Sequence, residues 1–223
     1  VENAIGSRLK CQNIKSKSFS KPNPIIKKRA IDYSITQENF EMLSPLSNPQ
    51  DMPSESIIDL LFPNNPLLCC GVSNSAFKTV SKVDWDDSLR KMQFIVPSPM
   101  SAKMGFTQSG KPSSHTLSNT GQRRFLVVEF DDGTLDQQAS IHYHLGTKFP
   151  LTLIVFSGSK SLHGWYYVQR SKELHIKEFF NYASSLGADR ATWTKSQFVR
   201  MPNGVRDNER KQNVIFFNPK TIK

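Results

Sequence analysis

The fold is decided by two stretches of the sequence, FLVVEFDDG at residues 125–133 and LTLIVFSGSKSLHGWYYV at residues 151–168. Each begins with a run of apolar and β-branched residues that is long enough for a buried strand and far too short to cross a membrane. Between them, Thr134 opens the pattern T-L-D-Q, which is typical of a helix capping box and predicts a helix from about 135 to 147. The turn SGSKS at 157–161 then divides the second stretch into two strands.

The remaining pattern is that of an α+β protein. Further strands are predicted at 67–72, 92–98 and 213–218, and further helices near 36–44, near 54–62 with Ser54 as the cap, from about Asp84, and at 172–186. We expect a small mixed sheet of the split β-α-β (RRM-like) type, with helices on one face and a working face opposite. Residues 1–33 are polar and lack periodicity, which indicates an arm. We therefore divide the chain into a partly helical N-terminal extension, 1–66, and a main domain, 67–223.

The net charge is strongly positive and unevenly distributed. The chain has 223 residues and a formal net charge of +10. Residues 1–30 hold eight Lys and Arg against one acid, and residues 186–223 hold eight against three. A basic excess favours a polyanionic partner, because contacts to phosphates release counterions. A solvated tail explains the basic N-terminus equally well, so the C-terminal excess is the more informative one.

The cysteines and the ends of the chain indicate the cellular compartment of the protein and whether the sequence is part of a longer one. Three cysteines, Cys11, Cys69 and Cys70, cannot form a disulfide framework, and reduced thiols in the cytoplasm are the simpler interpretation. The basic N-terminus has no apolar stretch behind it, so we expect neither a secretory signal nor a membrane partner. Val1 is not Met, and the chain ends on NPKTIK without a closing element, so we expect it to be part of a longer protein.

Two carboxylates follow the first strand on one of its sides. Because alternate side chains of a strand share a face, Val127, Glu129 and Asp131 point the same way. Neighbouring carboxylates repel each other, and a hard divalent cation such as Mg²⁺ removes that conflict. The alternative is a solvated acidic turn that Thr134 caps. Taken alone, the pair favours this alternative.

The turn SGSKS and the strand after it favour a metal site over a solvated acidic turn. Exposed backbone N–H groups, hydroxyls and Lys160 form a place where phosphate oxygens can bind. His163, the second residue of the next strand, shares a face with Trp165 and Tyr167. A single histidine on a strand is more often structural than catalytic. Beside a phosphate-binding turn and an acidic strand, we interpret it as a site residue.

The order of these features resembles that of the archaeo-eukaryotic primase superfamily. The shared order is an apolar strand with acid-x-acid, a helix, an apolar strand, an S-G-x-x-x-x-H turn and a further strand, and the resemblance covers about residues 92–218. More narrowly, the chain is similar to the primase-polymerases of plasmids, phages and mobile elements, which are often the N-terminal part of primase-helicase proteins.

The resemblance implies a role for each motif. In this family the acid-x-acid motif, here Glu129 and Asp131, binds two metal ions. The turn and the histidine hold the triphosphate of the incoming nucleotide, and by position these residues are Ser157, Ser159, Lys160, Ser161 and His163. Lys160 replaces an arginine that is common in relatives.

A third acid completes the metal site in this family. The segment LGADRATWTKSQFVRMPNGVRDN at 186–208 resembles one in which an Asp precedes an Arg-x-Pro-Gly-like stretch. The resemblance therefore implies Asp189 as the third ligand, with Arg200 beyond it at the nucleotide. The stretch here reads RMPNG, in which Asn203 departs from the pattern, and Asp207 is the alternative third ligand.

The function implied is that of a DNA primase or primase-polymerase, which makes or extends primers in the replication of a plasmid, phage or mobile element. Its cofactors would be two Mg²⁺ or Mn²⁺ ions roughly 4 Å apart. Its partners would be a single-stranded DNA template, nucleoside triphosphates and a helicase domain or protein. The expected catalytic residues are Glu129, Asp131, Asp189 and His163, and the expected contacts to the template backbone are Arg206, Arg210 and Lys211.

Three other patterns compete with this interpretation. GFTQSGKP at 105–112 nearly matches a phosphate-binding P-loop, but Pro112 replaces the metal-binding hydroxyl and no helix is predicted to follow. IHYH at 141–144 resembles the histidine pair of rolling-circle replication nucleases, but the capping box places it on a helix, where the two histidines point apart. A non-catalytic nucleic-acid-binding module would stack bases on strand aromatics, here Phe125, Trp165, Tyr166 and Tyr167.

Overall fold

The computed structural model describes residues 19–206 and 208–222, apart from the side chain of Asp86. These residues contain five α-helices: α1 Pro24–Ile31, α2 Gln37–Leu43, α3 Ser54–Leu61, α4 Leu135–Gly146 and α5 Glu173–Ser185. They also contain ten strands: β1 Leu67–Gly71, β2 Phe77–Ser81, β3 Phe94–Ile95, β4 Gly105–Phe106, β5 Pro112–Ser113, β6 Phe125–Glu129, β7 Leu151–Phe156, β8 Leu162–Tyr167, β9 Val199–Arg200 and β10 Val214–Phe217. Cys11, Asp207 and most of the predicted arm lie outside the described residues.

The central sheet has the strand order β10-β7-β8-β6. Helix α4 leads from β6 to β7, and β8 lies between these two strands, antiparallel to both. β10 pairs antiparallel with β7. The α+β class is confirmed, but the prediction of a mixed sheet is wrong, because every adjacent pair in this sheet is antiparallel.

A second sheet has the order β2-β1-β3-β9, again with antiparallel neighbours. Two of its strands, β3 and β9, have only two residues each. They pair with each other, Phe94 opposite Arg200, and so join distant parts of the chain. The 3₁₀ helix Lys82–Lys91 follows β2, where a helix starting near Asp84 was expected. The P-loop-like stretch forms the hairpin of β4 and β5, so it is not a strand-to-helix phosphate loop.

Both faces of the central sheet are buried. On one face, Leu126 and Tyr166 belong to a core formed with α1, α2, α4 and α5. On the other face, Val127 and Trp165 belong to a core formed with α3 and the second sheet. The expectation of helices on one face with an open working face opposite is therefore wrong in part. The second sheet covers most of that face, and the polar end of the strands at Glu129 lies at the seam between the two sheets.

The N-terminal extension contains more helix than its sequence predicts. Helix α1 lies within the supposed arm, where the Asn23 side chain accepts hydrogen bonds from two backbone amides and Pro24 is the first helical residue. The helix at 36–44 is confirmed, with Thr36 as its cap. The assignment of Ser54 as a cap is wrong, because Pro53 occupies the N-cap position of α3 and Ser54 is already helical.

The two histidines of IHYH have separate structural partners. His142 is fully buried, and its Nε2 lies 3.1 Å from the carbonyl oxygen of Leu162 while its Nδ1 lies 3.0 Å from the hydroxyl of Tyr166. A carbonyl can only accept, so Nε2 carries the proton and Nδ1 accepts from Tyr166. His144 contacts the hydroxyl of Tyr182 instead. The pair therefore does not converge on a common metal position, as the nuclease alternative would require.

Substitution of Gly164 should destabilise the protein through this histidine. A Cβ at Gly164 would lie 2.5 Å from Nδ1 of His142, so Gly164→Ala should lower the free energy of unfolding by about 1–3 kcal/mol. Gly146→Ala is the matched control, because its Cβ would make an ordinary 3.5 Å contact with Leu151. Denaturant unfolding measures both variants. Equal stability of the two would show that the His142 ring moves aside without cost.

The stability of the fold should fall in mild acid because of His142. Burial lowers the pKa of His142 from 6.5 to about 4. Between these pH values the unfolded chain binds a proton that the folded chain excludes, so the free energy of unfolding should decrease as the pH falls, by about 1.4 kcal/mol per pH unit at most.

Denaturant unfolding of variants over this pH range isolates the contribution of His142. The same burial effect lowers the pKa of His115 and of His144, so the total slope has several sources. His142→Gln should flatten the slope, and substitution of the exposed His175 by Gln should not. An unchanged slope in His142→Gln would contradict the assignment.

Candidate active site at the seam of the two sheets

Glu129 and His163 are direct cross-strand neighbours on β6 and β8. Nδ1 of His163 lies 2.9 Å from Oε2 of Glu129, within the distance of an ion pair, and the histidine side chain is only 5% exposed. The alternation expected from the sequence places both residues on the face of Trp165, toward the second sheet. Strand pairing thus brings an acid and an imidazole together at the end of an apolar sheet.

The charge state of Glu129 is set by opposing effects. Burial raises the pKa of Glu129, but the neighbouring His163, followed by Arg200 and Lys160, more than offsets this, so the pKa lies below the ordinary glutamate value. The carboxylate is therefore ionised at neutral pH despite its partial burial. An ionised, partly buried carboxylate is an oxygen donor suited to a hard cation.

Two further acids lie beside Glu129. Carboxylate oxygens of Glu129, Asp131 and Asp189 all lie within 4.8 Å of one another. Asp189 is held there because its backbone N–H donates to the carbonyl oxygen of Glu129 at 3.0 Å. Its side chain also accepts from the N–H of Ala191, as the cap of a short 3₁₀ helix. Three hard oxygen donors at this spacing fit a divalent cation of the Mg²⁺ type.

The turn at 157–161 is closed by its own serines. The N–H of Ser161 donates to Oγ of Ser157 at 3.2 Å, and Oγ of Ser161 lies 3.3 Å from Nε2 of His163. Gly158 has φ +79°, and a Cβ there would lie 2.7 Å from the carbonyl oxygen of Lys211. The turn therefore needs glycine both for its backbone conformation and for its close approach to the 205–211 segment.

Lys160 extends from this turn toward the acids. Its Nζ lies 3.5 Å from Oδ1 of Asp131, and both side chains are more than half exposed. Ion pairs of this kind contribute little to stability, because water screens them. Lys160 is thus free to exchange Asp131 for an anionic ligand at low cost.

The opposite wall of the cleft comes from the second sheet. Most residues of this wall could not be predicted from the sequence. Arg200 donates to Oε1 of Gln93 at 2.6 Å and lies over the ring of Phe94, 4.9 Å from its centre. Together these groups enclose a cleft of about 360 Å³. Its lining includes five residues that sequence reasoning missed: Asn74, Phe94, Gln197, Phe198 and Val199. No local pattern marks them, because they reach the cleft through the pairing of distant parts of the chain in the second sheet.

The basic residues expected at a template divide into two sets. Arg206 lines the cleft and donates to the carbonyl oxygen of Ser157 at 3.3 Å and to Oγ of Ser159 at 3.4 Å. Arg210 and Lys211 do not line this cleft, although the hairpin that carries them packs on the turn at 157–161. Arg200, Lys160 and the serines of the turn lie at the cleft as expected.

The aromatic residues proposed for base stacking are not at the surface. Phe125, Trp165, Tyr166 and Tyr167 are all buried in the two cores, with exposed fractions of 8% or less. They therefore cannot provide a stacking surface in this conformation. No helix of the described residues is long and apolar enough to span a membrane.

Comparisons with known proteins give one structural likeness. No protein-family model matches the chain, and no curated protein matches it. Among solved structures, the chain is similar to the AEP domain of the primase-polymerase of cyanophage S-2L, with a TM-score of 0.44 and 13% identity over 75% of this chain and 93% of that chain. A likeness at this TM-score carries no weight by itself, so the function has to be inferred from the site.

Divalent cation binding should depend on the three acids. We expect Asp189→Asn and Asp131→Asn each to weaken Mn²⁺ binding by at least about tenfold, because each removes an oxygen donor from the cluster. Electron paramagnetic resonance of free Mn²⁺ measures the affinity directly. Asp132→Asn is the matched control, since this exposed neighbour is not in the cluster. Equal affinity in all three variants would mean that the carboxylates do not act together.

Proposed function

We propose that this protein is a metal-dependent nucleotidyltransferase of the primase-polymerase kind, which makes or extends primers on a DNA template. The observation that carries the proposal is the cluster of Glu129, Asp131 and Asp189, of which Glu129 and Asp131 line one cleft with the serine-rich turn and Lys160. An acidic cluster alone fits many roles. Beside a turn that offers hydroxyls and the exposed ammonium group of Lys160, the cluster fits the transfer of a nucleotidyl group.

The acids would bind the metal ions, and the turn would bind the triphosphate. Glu129, Asp131 and Asp189 would hold two Mg²⁺ or Mn²⁺ ions, which when bound stabilise the charge on the attacking and leaving oxygens. Lys160, Ser157, Ser159 and Ser161 would bind the triphosphate of the incoming nucleotide, and Lys160 would leave Asp131 to do so. Arg200, on the facing wall, would bind the same phosphates from the other side.

His163 would act mainly by holding its neighbours in place. It lies between Oε2 of Glu129 and Oγ of Ser161, so it links the metal-binding strand to the phosphate-binding turn. A positively charged imidazole here would also support the ionised form of Glu129. A direct contact between His163 and the triphosphate, as the family resemblance implies, remains part of the proposal.

The partners follow from the same chemistry. Nucleoside triphosphates and a single-stranded DNA template are the proposed substrates, with Arg206, Arg210 and Lys211 as contacts to the template backbone. We also propose that the protein acts in the replication of a plasmid, phage or mobile element in the cytoplasm, together with a helicase domain or protein. Residues 67–223 would form the catalytic domain.

Loss of Glu129 should separate catalysis from binding. Glu129→Gln keeps the shape of the side chain but removes the charge, so template-dependent incorporation of labelled nucleotides should fall by at least about a hundredfold. Binding of single-stranded DNA, measured by fluorescence anisotropy, should stay within about twofold, because the basic residues are untouched. Asp132→Asn should retain activity.

Other outcomes would favour another function. Parallel loss of incorporation and DNA binding in Glu129→Gln would indicate a binding module with a structural carboxylate. Absence of product with either Mg²⁺ or Mn²⁺, together with tyrosine-linked cleavage of single-stranded DNA, would indicate a nuclease of the rolling-circle type.

A further inference from the structure

A second concave surface adjoins the candidate catalytic cleft at Arg206. This groove has a volume of about 550 Å³, larger than the candidate catalytic cleft. Four of its lining residues are cationic, namely Arg90, Lys91, Arg206 and Lys211, and its lining contains no carboxylate. Arg206 lines both the groove and the cleft. The groove therefore continues the cleft and is suited to an anion.

The N-terminus of α3 forms one wall of this groove, through Pro53 and Ser54. Pro53 occupies the N-cap position and provides no side-chain acceptor. The N–H groups of the first turn, residues 54–56, have no acceptor among the described residues. The acid of that turn, Glu55, accepts instead from the backbone N–H of Arg90 at 3.2 Å. Free amides and the helix dipole favour an anion at this position.

Ser54 gives an independent sign of a missing ligand. Its residue is 1% exposed and lines the groove, and its Oγ has no hydrogen-bond partner in the described part of the chain. Buried hydroxyls are almost always satisfied, because an unpaired one costs about 1–3 kcal/mol. A ligand that accepts a hydrogen bond at the head of α3 would satisfy the hydroxyl together with the amides.

We propose that this groove is a phosphate-binding site for a single-stranded nucleic acid, distinct from the site of the reacting triphosphate. The free amides, the Ser54 hydroxyl and the cations would bind a backbone phosphate. Apolar residues of the same lining, Met52, Val72 and Val205, offer surface for the sugar and base. A strand accounts for the cations better than a free nucleotide does, because they extend along a groove that meets the cleft at Arg206.

The experiment is a titration of ¹⁵N-labelled protein without divalent cations, followed by amide resonances. The probes are a short oligothymidylate, a thymidine triphosphate and inorganic phosphate. The oligonucleotide should shift the amides of Ser54, Glu55 and Ser56. Because no metal or turnover is needed, failure of this proposal and failure of the proposed catalysis are distinguishable.

Variants test which groups bind the strand. Ser54→Ala combined with Lys91→Gln should weaken oligonucleotide binding roughly tenfold. The slope of log K against log salt should also become shallower by roughly 0.7, because the variant neutralises one phosphate fewer. The control is Ser109→Ala with Lys28→Gln, which alters two exposed residues outside the groove, one between β4 and β5 and the other on α1. This control should bind as the unmodified protein does.

Two results would overturn the proposal. Unchanged amides at residues 54–56 with every probe would show that no phosphate binds at the head of α3. Saturation of these amides by the triphosphate, with no response to the oligonucleotide, would assign the site to a free nucleotide instead of a strand.

Discussion

A partly buried carboxylate at the end of an apolar strand needs a polar partner, and Glu129 has the imidazole of His163 at 2.9 Å. Both residues lie on strands whose other side chains form the two cores, so the position of this contact is fixed by packing on both sides. Removing the imidazole would leave a partly buried carboxylate without this partner, which is costly. The remaining parts of the cleft are arranged around this pair.

The two sheets contribute different kinds of group to the cleft. The central sheet supplies Glu129, at the end of β6, and the turn between β7 and β8. Asp131 follows β6, and Asp189 caps the 3₁₀ helix after α5. The second sheet supplies Arg200 and two phenylalanines, Phe94 and Phe198, from strands of only two residues or their neighbours. Anchoring Glu129 on a long strand gives this acid a fixed position.

Features with local causes could be predicted from the sequence, and features with distant causes could not. The box at Thr134 forms as expected, with both of its hydrogen bonds present, because every participant lies within four residues. Alternation grouped Glu129 with Val127 and His163 with Trp165, and the pairing of β6 with β8 brings the two groups to one face. In contrast, the pairing of Phe94 with Arg200 depends on contacts between remote segments. Helix α1 is not predicted, although Asn23 and Pro24 form a recognisable start, because residues 1–33 are polar and lack helical periodicity.

Each acid of the cluster has a polar partner within the protein itself. His163 contacts Glu129, Lys160 contacts Asp131, and Asp189 accepts from a backbone amide. Small metalloproteins whose ligands repel one another depend on the ion to fold. Here each acid already has a partner within the protein, so the fold does not depend on an ion. The folded chain would therefore persist when a chelator removes the divalent cations that the proposed function requires.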